Sequence, residues 1–261
     1  MDDKWVSELW RYRELVYFLA WRDVKVRYKQ AALGAAWAIL QPLLAMIIFT
    51  IFFGKLGGIS SEGVPYPLFS YSALVLWTYF SGVLGQAGQS LVANSNLITK
   101  VYFPRVVLPA SSALSGLMDL SASAVFLIVM MAYYQVRPGW SLLWAPVFIA
   151  ALILLTVGVS LILAAANVRF RDIKYVIPFL IQLGLFVTPV IYPIAFIPQR
   201  FRPFVALNPL SGIFEGFRSI LFGGSRLDPV LTSISLTTSV IVLVVGFIYF
   251  RRAERLFADI I

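Results

Sequence analysis

The chain has 261 residues, of which 60% are hydrophobic and only 13% are charged, a balance that excludes an ordinary soluble domain. It has no cysteine and no histidine, which excludes disulfides, thiolate nucleophiles and metal sites built from those residues. The formal net charge of +9 indicates contact with anionic lipid headgroups and not with nucleic acid. Six long apolar stretches predict an all-α integral membrane protein, because a crossing needs about 20 apolar residues that satisfy their own backbone hydrogen bonds.

Residues 1–32 predict an amphipathic helix that lies in the headgroup plane. Arg22, Lys25 and Lys29 recur at helical spacing and share one face. The apolar face is carried by Trp5, Leu9, Tyr12, Val16 and Leu19. A flexible basic tail is the alternative, and the basic residues among these aromatics predict no cleavable signal peptide.

Residues 33–261 predict one transmembrane domain with six spans. The spans run from about 33 to 53, 68 to 92, 106 to 134, 142 to 166, 175 to 197 and 229 to 250. Most of the 21 basic residues precede the first span or follow the second, fourth and sixth spans. The excess of basic residues on cytoplasmic loops therefore predicts that both termini are cytoplasmic.

The segment from 198 to 224 is too long for a turn and too apolar for a solvated loop, which predicts re-entrant helices on the outer side. Prolines before it predict that the fifth span breaks near Thr188 and Pro189. Glu215 and Arg218 are three residues apart, so they can pair on one helix face. Two interpretations stay open for them, a local ion pair that lets the segment enter the membrane and a gate or phosphate contact at the outer mouth.

Asp119 is the clearest ionisable residue inside a span, which makes it a functional candidate. The alternative is a hydrogen bond across a helix interface, because small residues such as Ser115 and Gly116 lie nearby. Aromatic residues on the spans are typical of packing and of membrane-interface belts. If two spans line a pore, some of these rings can instead stack on the faces of sugars.

Two absences bear on catalysis. The sequence contains no glycine-rich phosphate loop that ends in lysine followed by serine or threonine, so ATP is not bound by that device. The predicted cytoplasmic loops carry almost no acids and offer no pair of carboxylates for glycosyl transfer. The sequence therefore predicts a chain that is not an enzyme and that carries no cofactor of its own.

Four sequence segments occur in the same order as in a known family of membrane proteins. The first covers residues 21–30 with 33–37 and 41–43, and the second covers residues 94–105. The third covers residues 167–173 and continues at 188–193, and the fourth is residues 208–210 with Arg218. Together they resemble the ABC-2 permeases that export polysaccharides and polyol phosphates. The spacing is most similar to the O-antigen branch and less similar to the capsule and teichoic-acid branches.

This resemblance implies a homodimeric channel in a bacterial inner membrane, driven by two copies of a separate subunit that binds ATP and Mg. It implies a polysaccharide cargo linked to polyprenyl pyrophosphate. The implied contacts with the ATPase are a docking helix over 94–105 and a second cytoplasmic loop, with Asn94, Lys100, Tyr102, Phe103, Pro104, Arg105, Arg169, Arg171 and Asp172. The implied outer gate is formed by residues 198–224 and includes Asn208, Pro209, Glu215 and Arg218.

Two further sets of residues follow from the same resemblance. Spans one and five would line the channel, with Trp37, Tyr175, Phe179, Phe186 and Tyr192. Substrate access would use Arg22, Lys25, Arg27 and Lys29. The wider basic rim, which adds Arg169, Arg171 and Lys174, suits a pyrophosphate because arginine forks match phosphate oxygens. Ordinary anchoring on anionic lipid is the alternative for each of these residues.

Two other functions stay open at this stage. One is export of a drug or small lipid, which does not need a channel as wide as a polymer. The other is a scaffold subunit of a polysaccharide synthase complex with no transport of its own. A basic and aromatic patch that ends in proline, from Lys100 to Arg105, favours docking into a partner's cleft over a solvated loop.

Overall fold

The structure is a computed structural model that describes residues 11–29, 33–223 and 227–255. Helices account for the regular structure of these residues, and the described part contains no strand, which confirms the predicted all-α class. Trp5 and Leu9 of the predicted apolar face, Gly224 at the end of the predicted gate segment and the last residues of the chain lie outside the described residues.

The helices, in chain order, have the following bounds. Helix α1 is Arg13–Lys29, α2 is Trp37–Phe49 with a π-helical continuation over Thr50–Leu56, and α3 is Tyr66–Ala93. Helix α4 is Ser95–Lys100, α5 is Val107–Tyr133, and α6 is Ala145–Arg169 after a 3-10 turn over Trp140–Trp144. Helix α7 is Ile173–Val187, α8 is Arg202–Ala206, α9 is Pro209–Phe222 and α10 is Pro229–Glu254.

Five helical stretches of the described residues are long and apolar enough to cross a membrane. They contain α2, α3, α5, α6 and α10, close to the predicted first, second, third, fourth and sixth spans. The predicted fifth span is different, because α7 ends at Val187 and not at Ile197. Its 15 residues give about 22 Å of helix, less than the roughly 30 Å of a bilayer core. The crossing by α7 and the orientation of the termini stay predictions, and "cytoplasmic" and "outer" below refer to the predicted ends.

Helix α3 is the most buried of these stretches and forms the centre of the bundle, in contact with α5, α6 and α7. Helices α6 and α10 cross at two glycines. A Cβ at Gly246 would lie 2.3 Å from the carbonyl oxygen of Gly158, so only glycine permits this approach. Small residues at such crossings let helix backbones pack closely where no hydrophobic effect drives association in lipid.

Helix α1 lies along the bundle and not apart from it. Leu19 is buried in a cluster at the cytoplasmic end, with Tyr12 and Val16 packed against it. This is the predicted apolar face, and the described part of the segment is helical and not a flexible tail. Lys25 and Lys29 are exposed on the polar side.

Candidate functional sites along the helix bundle

The break after α7 is held by donors from other helices. Thr188 leaves the helix in an extended conformation, at the position that the prolines predicted. Arg218 of α9 donates from Nη1 to the carbonyl oxygen of Pro189 and from Nη2 to that of Val190, both at 2.6 Å. Tyr66 of α3 donates its hydroxyl to the carbonyl oxygen of Ile191 at 2.8 Å. Three consecutive carbonyls of the irregular segment after α7 are thus satisfied by protein, as irregular backbone inside a membrane protein requires.

Arg218 is 3% exposed, and its guanidinium lies 3.6 Å from the ring centroid of Phe69. Helix α9 itself is wedged into the bundle, since a Cβ at Gly216 would meet the ring of Phe148 at 2.1 Å. Asn208 caps the start of this helix, since its side chain accepts from the Leu210 N–H and also donates to the Thr188 hydroxyl. The predicted gate residues Asn208 and Arg218 therefore meet at the break, and Pro209 is the first residue of α9.

The direct ion pair that the spacing of Glu215 and Arg218 allows, one of the two open interpretations, does not form in this structure. Among the described residues, no Arg218 nitrogen lies within 4.0 Å of a Glu215 oxygen, because the guanidinium turns toward the carbonyls of the break. Glu215 Oε2 and Arg218 Nε are buried without a hydrogen-bond partner in the described part. Burial raises the pKa of Glu215, and the nearby Arg218 charge acts in the opposite direction.

One face of α7 carries exposed aromatic side chains. Tyr175, Phe179 and Phe186 all point away from the bundle, and Gln182 lies between them on the same face. The opposite face is fixed to α3, where Ile177 packs on Gly88 and Trp77 packs on Gly184. An amide at this depth is expensive to expose to lipid, so the face suits a polar conduit.

The two remaining residues predicted to line the channel lie elsewhere. Tyr192 is half-buried after the break, donates its hydroxyl to the Phe186 carbonyl and packs near Phe196 with ring centroids 6.4 Å apart. Trp37 is exposed at the start of α2, where it lines a cavity of about 460 Å³ with Gln41 and Thr78.

The same cavity is bounded by a charged network that joins α1 to α5. Asp119 accepts hydrogen bonds from the Arg27 guanidinium and from the Tyr28 hydroxyl, and Arg27 also donates to Gln86 of α3. Burial, with the hydrogen bond and charge of Asp119, raises the pKa of Tyr28 to about 12. The hydrogen-bonded interpretation of Asp119 is thus the one that the structure supports, although its partners come from α1 and not from the nearby serines.

The four predicted substrate-access cations divide into two pairs. Arg27 is committed to Asp119, and Arg22 donates to Asp23 at 2.9 Å and to Asn94 at 3.1 Å. Lys25 lies over the Trp21 ring and Lys29 is exposed. The two arginines therefore hold α1 in place in this structure, and only the two lysines are free of acidic partners among the described residues.

The predicted docking segment is helical over its first half only. Helix α4 ends at Lys100, and Tyr102 in the extended part is 95% exposed. Phe103 is 5% exposed, because its ring packs in the cytoplasmic cluster against residues such as Leu91 and Val106. In this conformation the Tyr102 ring is exposed and the Phe103 ring is not, and docking of the segment to a partner stays a prediction.

Both ends of this segment are attached to other helices. Asn94 is bonded to Arg22 of α1. At the other end, Arg105 donates its backbone N–H to Glu254 Oε1 at 3.1 Å and its guanidinium to the Glu254 carbonyl at 2.6 Å, while the preceding Pro104 is half-buried. The second predicted contact loop is exposed at the end of α6, with Arg169, Arg171 and Asp172.

Some of these contacts were not predicted from the sequence. Tyr66 and Phe69 gave no signal of their own, whereas Gln182, in the middle of the apolar part of α7, could have indicated a polar face. Among the described residues, no group of three or more acidic, histidine or cysteine side chains is arranged to hold a metal ion.

Comparison with known proteins gives concordant matches. The family model described as "ABC-2 type transporter" matches residues 14–222. The O-antigen export system permease protein RfbA of Klebsiella pneumoniae is 31% identical over 251 residues, 95% of each chain. RfbA of Myxococcus xanthus is 31% identical over 83% of this chain and 84% of its own. The polysialic acid transport protein KpsM of Escherichia coli is 23% identical over 90% of this chain and 91% of its own.

Proposed function

The chain belongs to the ABC-2 type transporter family, and from that premise we propose that it is the permease subunit of an exporter for a cell-surface polysaccharide of the O-antigen type. The cargo in this proposal is linked to polyprenyl pyrophosphate and moves from the cytoplasm across the bacterial inner membrane. The observation that carries it is the exposed face of α7, where three aromatic rings and the Gln182 amide follow one another along the helix.

This face has the chemistry that a glycan needs. Aromatic rings offer flat apolar surfaces to the faces of sugars, and an amide both donates to and accepts from sugar hydroxyls. A purely lipid cargo gains nothing from Gln182, which favours a polysaccharide over a small lipid. Two copies of the chain, with α2 and α7 of each copy around a shared axis, would enclose such a surface.

Permeases of these export systems work with an ATP-binding subunit. We expect two copies of that subunit, each in contact with the segment from Asn94 to Arg105. The exposed ring of Tyr102 is the contact in this proposal, and buried Phe103 anchors the segment from behind. Arg105 and Asn94 connect the segment by hydrogen bonds to α10 and α1, so a displacement of the segment would be transmitted to both helices.

At the outer end, α8 and α9 act as the gate. Arg218 and Asn208 fix the break after α7 to α9, so displacement of α9 would bend the chain at the break, beyond the outer end of the aromatic face. In this proposal, the hydrogen bonds of Arg218 and Asn208 take the place of an ion pair between Glu215 and Arg218.

The first experiment is purification of the tagged chain from its native host in mild detergent, followed by mass spectrometry. A stoichiometric ATP-binding subunit supports the exporter, whereas membrane glycan synthases without an ATPase support the scaffold alternative. Deletion of the gene should also make lipid-linked glycan accumulate inside the cell. An unchanged glycan pool together with a co-purified ATPase would instead favour export of a different cargo.

The second candidate is export of a capsule-type polysaccharide, which the match to the polysialic acid transport protein favours. The glycan that accumulates in the deletion strain distinguishes it from the first, because the sugar composition identifies the surface polymer that is missing.

A further inference from the structure

An apolar groove lies at the predicted outer end of the bundle, in the connection from α5 to α6. This outer groove is lined by Pro138, Gly139, Trp140, Leu142, Leu143 and Pro146. Its volume is about 570 Å³, within the range of about 300–1,000 Å³ that is usual for ligand sites. It shares no lining residue with the cavity beside Trp37 and Asp119, so it is a separate feature of the molecule.

The apolar side chains around the outer groove are strongly exposed. Trp140 is 91% exposed, Leu143 is 75% exposed and Trp144 is 62% exposed. A contiguous apolar patch of this kind indicates contact with lipid or with another molecule. Helix α5 ends at Tyr133 and α6 begins at Ala145, so the patch lies where two membrane helices approach the headgroup level. Tryptophan is enriched at that level because its ring is apolar and its N–H is polar.

One cation stands next to this groove. Arg137 directly precedes Pro138 and is the sole charged residue between Tyr133 and Phe148 in the sequence. It is exposed and has no acidic oxygen within 4.0 Å in the part of the chain that the structure describes. The excess of basic residues on cytoplasmic loops does not account for an arginine at the predicted outer end. A guanidinium with free donors beside an apolar groove suits a phosphate that carries an acyl chain.

The backbone around Arg137 is fixed before any ligand binds. Gln135 closes α5 in the left-handed region with φ 57°, and the Val136 N–H donates to the Met131 carbonyl at 2.9 Å. The Val136 side chain packs against the hydrophobic core, and the ring of Pro138 restricts the next turn of the chain. A headgroup can therefore bind Arg137 without the cost of ordering the connection.

The outer groove is also attached to α9. Ser141, in the 3-10 turn over Trp140–Trp144, donates its hydroxyl to the Ile220 carbonyl at 2.8 Å. This carbonyl is one of the last four of α9, which have no donor within their own helix. A ligand that orders the turn would therefore also hold the end of α9, at the opposite end from Asn208.

We propose that the outer groove binds an anionic phospholipid of the surrounding bilayer, with the phosphate on Arg137 and an acyl chain against Trp140 and Leu143. The bound lipid stabilises the turn over Trp140–Trp144 and, through Ser141, the end of α9. This lipid is a constituent of the membrane and not the cargo, so the inference does not depend on which molecule is exported.

The test is equilibrium binding of radiolabelled phosphatidylglycerol to the full chain in mild detergent, purified with any subunit that accompanies it. We expect saturable binding that weakens at least about tenfold in Arg137→Gln, because a charge-assisted contact is lost. Arg137→Lys should retain most of the affinity. The matched control is Arg200→Gln, which removes another exposed arginine at the predicted outer end and should bind like the parent protein.

Competition and the groove itself provide the second part of the test. Unlabelled phosphatidylcholine should displace the probe only at higher concentration, and Leu143→Ser should weaken binding while Arg137 is retained. Unchanged binding in Arg137→Gln, or equal displacement by phosphatidylcholine, would overturn the proposal. If Leu143→Ser instead changed the oligomeric mass of the purified protein and left lipid binding unchanged, the patch would be a contact between protein chains and the lipid assignment would be wrong.

Hydrogen exchange tests the connection to α9 separately. Saturating phosphatidylglycerol should slow exchange in the last turn of α9 in the parent protein. In Ser141→Ala the lipid should bind with the parent's affinity but no longer slow that exchange, because the hydrogen bond to Ile220 is absent. Equal slowing in Ser141→Ala, or no slowing in the parent at saturation, would refute the transmission through Ser141.

Discussion

Replacing Arg218 by methionine removes two of the donors that hold the break after α7. Methionine keeps an unbranched apolar side chain against Phe69 but leaves the carbonyl oxygens of Pro189 and Val190 without their partner. Each buried carbonyl left unsatisfied costs roughly 1–3 kcal/mol, so the variant should lose about 2–6 kcal/mol of stability. The loss falls on a local element, because α8, α9 and the break depend on this contact and the α6–α10 crossing does not.

The assay can use the seven tryptophans of the chain, since no cysteine is present for thiol-reactive dyes. We expect the apparent Tm in mild detergent, followed by tryptophan fluorescence, to fall by roughly 5 °C or more. Trypsin should cut faster at Arg200, which lies in the segment that the break leads into.

Two variants provide the controls. Arg200→Met changes an exposed arginine that lies over the Phe201 ring, and it should leave the Tm unchanged. Arg218→Lys can meet one carbonyl and keep a cation near Phe69, so its Tm should lie between those of the parent and Arg218→Met. If Arg218→Met matched the parent in both Tm and trypsin resistance, the guanidinium would not hold the break and the reasoning would be refuted.

Three further predictions test other contacts. Tyr102→Ala should abolish recovery of the ATPase in the purification without changing Tm, because its ring is exposed. Phe103→Ala should instead lower stability by about 3–5 kcal/mol, because its ring is buried. The reverse pattern would assign docking to Phe103. Asp119→Ala should speed trypsin cleavage within α1 while costing only about 1 kcal/mol in stability, and equal cleavage would mean that Arg27 does not fasten this helix. Gly246→Val should prevent the α6–α10 crossing and yield aggregated protein by size exclusion, and a monodisperse product would contradict the close packing.

The spans were predictable because each carries its own signal. A run of about 20 apolar residues identifies a membrane helix without knowledge of its neighbours. The bounds of α3 and α5 agree with the predicted spans to within a few residues. The end of α7 was predictable too, because Pro189 and Pro193 cannot continue a helix without losing hydrogen bonds.

The partners of the polar residues could not be predicted in the same way. The sequence places Arg218 one helical turn from Glu215, which suggests a local pair, whereas the break after α7 offers two carbonyls that only the folded chain brings within reach. The burial of Phe103 could not be predicted for a similar reason, because neighbouring residues of an extended segment point in opposite directions and only packing decides which one is buried. The resemblance assigned roles to whole segments. Only the folded chain distinguishes a residue whose side chain can contact a partner from a residue that supports it from inside.

Helix α7 connects the two ends of the proposed path. Its first residues follow the exposed loop at the end of α6, its exposed face carries the aromatic rings, and its last residue leads into the break held by Arg218. The opposite face is fixed to α3 at Gly88 and Gly184, where any larger residue would push the two helices apart. Because α7 is held along its length by α3 and at its outer end by α9, a displacement of α9 bends the chain at Thr188 more readily than it moves the rings. In the proposed function the aromatic face is therefore a fixed surface, and opening of the conduit would depend on α8, α9 and a second copy of the chain.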